Sequence, residues 1–208
     1  MLAALLCAPP AQAARRPKPA MPPPAIAAAP ADPAGVDAPP VLVDLYTRLE
    51  SKLAANPGLA NALGKPAPQM AQVAWMLGRW EVVAERAGRP PGPPGVSLVR
   101  PALGGVWLEI REAYPNGVQD IGFLGFDPAT QRWISLSLDS LVNGNKAVAR
   151  AWTDNTLTFD GRMVIVGEAA RLRQVIEKVS DAEYTLTNQE QVDGGWRILD
   201  RYRYRKVP

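Results

Sequence analysis

The chain predicts an all-β fold, an antiparallel meander that closes as a barrel or stacks as a sandwich, and three observations carry that reading. Turn signals recur at strand-length spacing from Gly78 onward: Pro90-Pro91-Gly92, Gly104-Gly105, Pro115-Asn116-Gly117, Asp127-Pro128, Asn143-Gly144, Asp160-Gly161 and Asp193-Gly194-Gly195. Between them lie alternating runs such as "GVWLEIREAY", "RWISLSLDS" and "WRILDRYRYRKV". The same region carries no long helical pattern and no repeat of solenoid period. Regular short strands joined by hairpin turns are the mark of such a meander.

The front third reads differently. Of the 22 prolines, 14 fall in residues 1–68. Residues 1–14, within "MLAALLCAPPAQAARRP", read as a secretory signal peptide, with an apolar run to Cys7 and Ala11-Gln12-Ala13 as a small-x-small cleavage site. An Ala-rich flexible end is the alternative. The apolar run is too short to span a bilayer, and the leader places the mature chain in the periplasm or outside the cell. Residues 15–40 are Pro- and Ala-rich without period, so they bury too little surface to offset ordering entropy and read as a disordered linker. Residues 41–66 form a helical segment, with Leu42, Leu45, Leu49 and Leu53 at helical spacing and Asn56-Pro57-Gly58 as a stop. The stripe reads as core contacts, with a lid or dimerisation face as the sharper reading.

The folded unit is residues 70–208. Gly78-x-Trp80 opens its first strand. For the last hairpin, a three-residue Asp193-Gly194-Gly195 loop pairs Glu190 with Ile198, Asn188 with Asp200, Leu186 with Tyr202 and Tyr184 with Tyr204. A two-residue turn instead faces Gln191 with Trp196 and Glu190 with Arg197. The first register gathers the apolar residues on one face and is preferred. It sets Trp196, Ile198, Tyr202, Tyr204, Asn188, Glu190 and Asp200 inward, and such polar groups need hydrogen bonds or water there. Arg197, Arg201, Arg203 and Arg205 then form a solvated outer face. Trp133 shares a face with Ser135, Ser137 and Asp139, and the two serines would leave unfilled room if that face points inward; the opposite face, Ile134, Leu136 and Leu138, is the more obvious core face, and the pattern does not settle between them.

Composition removes several chemistries. There is no histidine and the one cysteine is Cys7, which excludes Ser-His-Asp and Cys-His catalysis, His-ligated zinc and His-ligated haem. No metal or other cofactor is expected. From Trp75 onward there are 17 Lys and Arg against 16 Asp and Glu, a net of +1. That domain lacks the positive field nucleic acid requires. Glu190 and Asp200 are the one acid-base pair in view, but two carboxylates on a hairpin face are common without catalysis, so the chain is read as no enzyme.

Gly78-x-Trp80, "LGGVWLE" (103–109), "GFLGFDPATQRWISLSLDS" (122–140) and "DRYRYR" (200–205) together resemble the bacterial family known as domain of unknown function 1579, a secreted lipocalin-like barrel. The resemblance covers about residues 70–206. It implies an up-and-down barrel of about ten strands, wide enough to hold one small ligand, with Gly78 and Trp80 closing one end under Arg203 or Arg205. It implies no activity. The expected function is binding of a small lipophilic molecule, contacted by Trp133, Asn188, Trp196, Asp200, Tyr202 and Tyr204. The alternative is a non-enzymatic envelope module with a filled barrel and a protein partner of unknown kind.

Overall fold

The computed structural model describes residues 40–86 and 88–208. The signal and linker readings for residues 1–39 lie outside the described residues. The chain divides into two units, one helical through Ala60 and one running from Asn61 to Pro208. In the first, α1 (Pro40–Ala55) is followed by α2 (Pro57–Ala62). Asn56 does more than stop α1. Its Oδ1 accepts the Leu59 N–H at 3.0 Å, and Pro57 takes the first helical position, so the breaker of one helix caps the next. Leu45 and Leu49 of the expected core stripe are exposed.

The second unit begins with a 3-10 helix, Pro68–Met76, and continues as β1 (Gly78–Glu85), β2 (Gly95–Ala102), β3 (Trp107–Ala113), β4 (Gln119–Asp127), β5 (Arg132–Asp139), β6 (Gly144–Ala149), β7 (Trp152–Thr153), β8 (Thr156–Ile165), β9 (Glu168–Lys178), β10 (Glu183–Val192) and β11 (Gly195–Val207). Each strand pairs antiparallel with its neighbours. β1 joins β11, and β6 joins β8, so ten strands close a ring while the two-residue β7 pairs on the side of β8. Closure removes the free edges that an open meander would expose. At the β6–β8 seam the backbones approach so closely that a Cβ on Gly161 would stand 2.1 Å from the Lys146 carbonyl oxygen. Only glycine permits that contact.

One end of the barrel is sealed by the 3-10 helix, whose Met70, Val73 and Met76 are buried. Trp80 is fully buried, and its indole N–H donates to the Met76 carbonyl at 2.7 Å. Trp75 and Tyr184 pack edge to face against it, with ring centroids 6.3 Å and 4.9 Å away. The cation over Trp80 is Lys206, at 5.1 Å from the ring centre, and its Nζ also donates to the Trp75 carbonyl at 2.9 Å. This corrects the expectation for Arg203 and Arg205. Side chains alternate along β11, so Lys206 shares the inward phase of Tyr202 and Tyr204 while both arginines point outward. Arg203 pairs with Glu85 at 2.8 Å, and Arg205 stands across from Glu81 and Glu183. Gly78, at φ +121°, leaves the space that Lys206 Cε fills.

The last hairpin combines the two registers weighed from the sequence. Near the tip the turn is the two-residue one, with Asp193 at φ 50° and Gly194 at φ 80°, as a primed hairpin turn requires. There Val192 faces Gly195, Gln191 faces Trp196 and Glu190 faces Arg197. A β-bulge at Leu199 then absorbs one residue, and from Asn188–Asp200 onward the pairing is Leu186–Tyr202, Tyr184–Tyr204 and Glu183–Arg205.

Candidate functional site

At the barrel centre lies a cavity of about 40 Å³. Its apolar wall comes from Met76, Ile110, Leu124, Phe159, Ile176 and Leu186, and its polar edge from Glu112, Ser135, Ser137, Gln174 and Tyr204. The strand period explains why these groups meet. In β3 the inward phase runs Leu108, Ile110, Glu112 and on to Tyr114, so a carboxyl sits in an otherwise apolar and aromatic row. In β5 the inward phase is Trp133, Ser135, Ser137 and Asp139, which decides the face left open by the sequence. Leu138, on the other face, is 64% exposed. Two serines in that row leave the room that becomes the cavity.

A chain of hydrogen bonds runs behind the polar edge. The Ser135 hydroxyl donates to Gln174 Oε1 at 3.2 Å, and the Gln174 amide donates to Asn188 Oδ1 at 3.1 Å. The Asn188 amide donates to Asp200 Oδ1 at 2.8 Å, and the Tyr202 hydroxyl donates to Asp200 Oδ2 at 3.3 Å. Four strands are tied together by side chains that are otherwise costly to bury. Burial pushes the Asp200 carboxyl above the usual range, and the Asn188 bond pulls the other way.

Glu112 and Asp120 stand directly opposite each other on β3 and β4, and they are only 3% and 5% exposed. The Tyr114 hydroxyl donates to Glu112 Oε2. Glu112 Oε1 and both Asp120 oxygens meet no donor among the described residues. Desolvation raises both carboxyls, and with the Glu112 charge adding to it, Asp120 is pushed up to about 8. Burial of two facing carboxyls favours the protonated form, most strongly at Asp120, which meets no donor among the described residues, while the Tyr114 bond opposes the shift at Glu112. Glu112 reaches the central cavity, and Asp120 borders a smaller, water-sized void of about 10 Å³ with Ser137, Asp139, Asn143 and Asn145. Asp139 is already committed, since the Leu141 and Asn143 N–H groups and the Asn143 amide all donate to it. Burial likewise raises the hydroxyls of Tyr114, Tyr184, Tyr202 and Tyr204, which therefore stay neutral hydrogen-bonding groups. The site can orient a molecule through a carboxyl, hydroxyls and an amide.

Of the six residues expected to contact ligand, only Tyr204 lines the central cavity. Asn188, Asp200 and Tyr202 are buried in the supporting network rather than on its surface. Trp133 is buried against Phe126, with ring centroids 5.4 Å apart, and is absent from the cavity lining. Trp196 is displaced to the outer face, where the Arg173 guanidinium lies 4.2 Å from its ring centre, and Ile198 is 49% exposed. The bulge at Leu199 causes both departures by setting these residues opposite Gln191 and Gln189. Glu190 is engaged by Arg197, so it does not pair with Asp200 as acid and base. Glu112, Asp120 and Gln174 were not singled out from the sequence, whereas Ser135 and Ser137 were placed there on the Trp133 face and do line the cavity. The signal for the two acids was present: each shares the i, i+2 phase of apolar neighbours, Glu112 with Ile110 and Asp120 with Leu124.

The wider comparisons agree with this architecture. The crystal structure of Rv2717c from M. tuberculosis superposes with a TM-score of 0.51 at 12% sequence identity, covering 69% of this chain and 99% of that one. At that identity the likeness speaks to the fold alone. No curated protein matches the chain. The family model described as protein of unknown function (DUF1579) matches residues 65–206, which takes in the sealing 3-10 helix and every strand of the ring, and the chain therefore belongs to that family.

Proposed function

We propose that this chain is a non-enzymatic, lipocalin-like binding protein whose barrel interior takes a compact, partly apolar molecule bearing a hydrogen-bonding group. The observation that carries the reading is the central cavity itself, where an apolar wall faces a polar edge and Glu112 Oε1 meets no hydrogen-bond donor among the described residues. Its volume narrows the ligand class. Benzene needs a cavity of roughly 150 Å³, so about 40 Å³ favours a few heavy atoms, and anything longer must displace side chains such as Met76. A fatty acid is disfavoured on that ground. Periplasmic or secreted placement is part of the proposal and rests on the leader pattern.

The test is a titration of butanol, N-methylacetamide and palmitate, followed by tryptophan emission and ligand-observed NMR. Saturable uptake of a compact probe, weakened by Glu112→Gln, supports the reading; silence from both compact probes contradicts it. A second reading, a filled barrel that serves as an interaction module, is favoured by apolar side chains such as Leu98 and Leu138 exposed on the outer face. Removal of residues 41–64 should then abolish capture of a partner while the barrel stays folded, and unchanged capture would exclude a role for the helix.

A further inference from the structure

Outside the barrel, at the end sealed by the 3-10 helix, lies an open groove of about 350 Å³ bordered by Gln72, Trp75, Trp152, Asp154, Asn155 and Lys178. None of these residues lines the central cavity. Its volume lies in the range of small-molecule sites, which the interior void does not reach.

The floor is aromatic and held firmly. Trp75 and Trp152 pack edge to face, with ring centroids 6.4 Å apart, and both are partly exposed. Trp75 is fixed from behind by Trp80 and Tyr184, its indole N–H donates to the Gln72 carbonyl at 2.9 Å, and its own carbonyl accepts from Lys206. Lys178 lies over the Trp75 ring at 5.3 Å and is tied to Asp181 at 2.7 Å. The β7–β8 turn that presents Asp154 and Asn155 is pinned as well, since the Asn155 carbonyl accepts the Lys178 N–H at 2.8 Å. Gln72, Asp154 and Asn155 are exposed on the rim.

This chemistry selects among ligands. Lys178, the cation bordering the groove among the described residues, is paired with Asp181, and Asp154 adds a negative charge at the rim, which disfavours a phosphate or carboxylate. An alkyl chain would cover the indoles but strip water from the carboxamides and carboxylate on the rim without replacing it. A pyranose matches both demands. Its C–H face carries the partial positive charge that suits the negative face of an indole, and its ring of hydroxyls both donates and accepts, as planar amide and carboxylate side chains require.

We propose that the groove is a saccharide-binding site, with a neutral pyranose lying against Trp75 and Trp152 and its hydroxyls bonded to Gln72, Asp154 and Asn155. The site is independent of the interior one and stands or falls separately from it. The experiment is a titration of the full chain with glucose, N-acetylglucosamine, maltose and cellobiose, read by tryptophan emission and saturation-transfer NMR. At least one of the four saturates with a Kd of about 1 mM or below. The rim variant Gln72→Ala/Asn155→Ala weakens that sugar about tenfold or more while circular dichroism and Tm stay unchanged, and Trp152→Ala abolishes it. Should Trp152→Ala fail to fold, the rim variant alone decides. Failure of all four sugars to saturate by about 100 mM, or binding equal in wild type and rim variant, overturns the proposal.

Discussion

Replacing Asp120 with asparagine tests the buried carboxyl pair most sharply. Burial and the facing Glu112 push Asp120 up to about 8, whereas in an unfolded chain an aspartate titrates near about 3.9. The folded state therefore binds a proton that the unfolded state has lost. The stability contributed by this group is complete below about pH 4 and is lost as pH rises through about 8, at about 1.4 kcal/mol per pH unit, to a limit of about 6 kcal/mol. Glu112, also raised by burial, adds to the same trend, and Asp139 adds its charge to the Asp120 environment. Urea denaturation from pH 4 to pH 9 reads this directly. Wild type should weaken steadily with pH, and Asp120→Asn should reduce the slope above pH 6 by about one proton equivalent. A wild type whose stability is flat or rises from pH 6 to pH 8, or a variant with the wild-type slope, refutes the reasoning.

Other substitutions probe the closure, the seam and the network. Lys206→Met forfeits the bond to the Trp75 carbonyl and should lower stability by about 1–2 kcal/mol, whereas Arg205→Met on the outer face should cost about 0.5 kcal/mol or less; thermal melts compare them. Gly161→Ala puts a methyl into the Lys146 carbonyl and should destabilise by more than about 3 kcal/mol or prevent folding, visible as lost near-ultraviolet circular dichroism. Asn188→Ala leaves Gln174 and Asp200 without their shared partner and should cost about 1–3 kcal/mol in denaturant melts, with no cost if the chain of bonds is idle.

Much of the barrel was legible in the sequence because turns and period-two alternation act locally. The pairings Asn188–Asp200, Leu186–Tyr202 and Tyr184–Tyr204 follow from collecting apolar side chains on one face. The bulge at Leu199 was not legible, because it reconciles a tight turn with that body register by one extra residue that no local preference marks. Trp196 and Ile198 changed face as a result. The closing cation illustrates a different limit: "RYRYRK" offers four cations, and only the phase fixed by Tyr202 and Tyr204 selects Lys206 over the three arginines. The room beside Ser135 and Ser137 was readable, and so was the inward phase of Glu112 and Asp120, but the cavity itself depends on how seven strands and the 3-10 helix pack, which no local pattern carries.

The account turns on the void beside Glu112 being a place for a ligand rather than a gap in packing. Native mass spectrometry of the purified chain, set beside a Ser135→Leu variant that fills the void, tests this most directly. A compact molecule bound one to one by the wild type and lost from the folded variant is the predicted result. Bare wild-type protein, or a ligand retained equally by the variant, would contradict it.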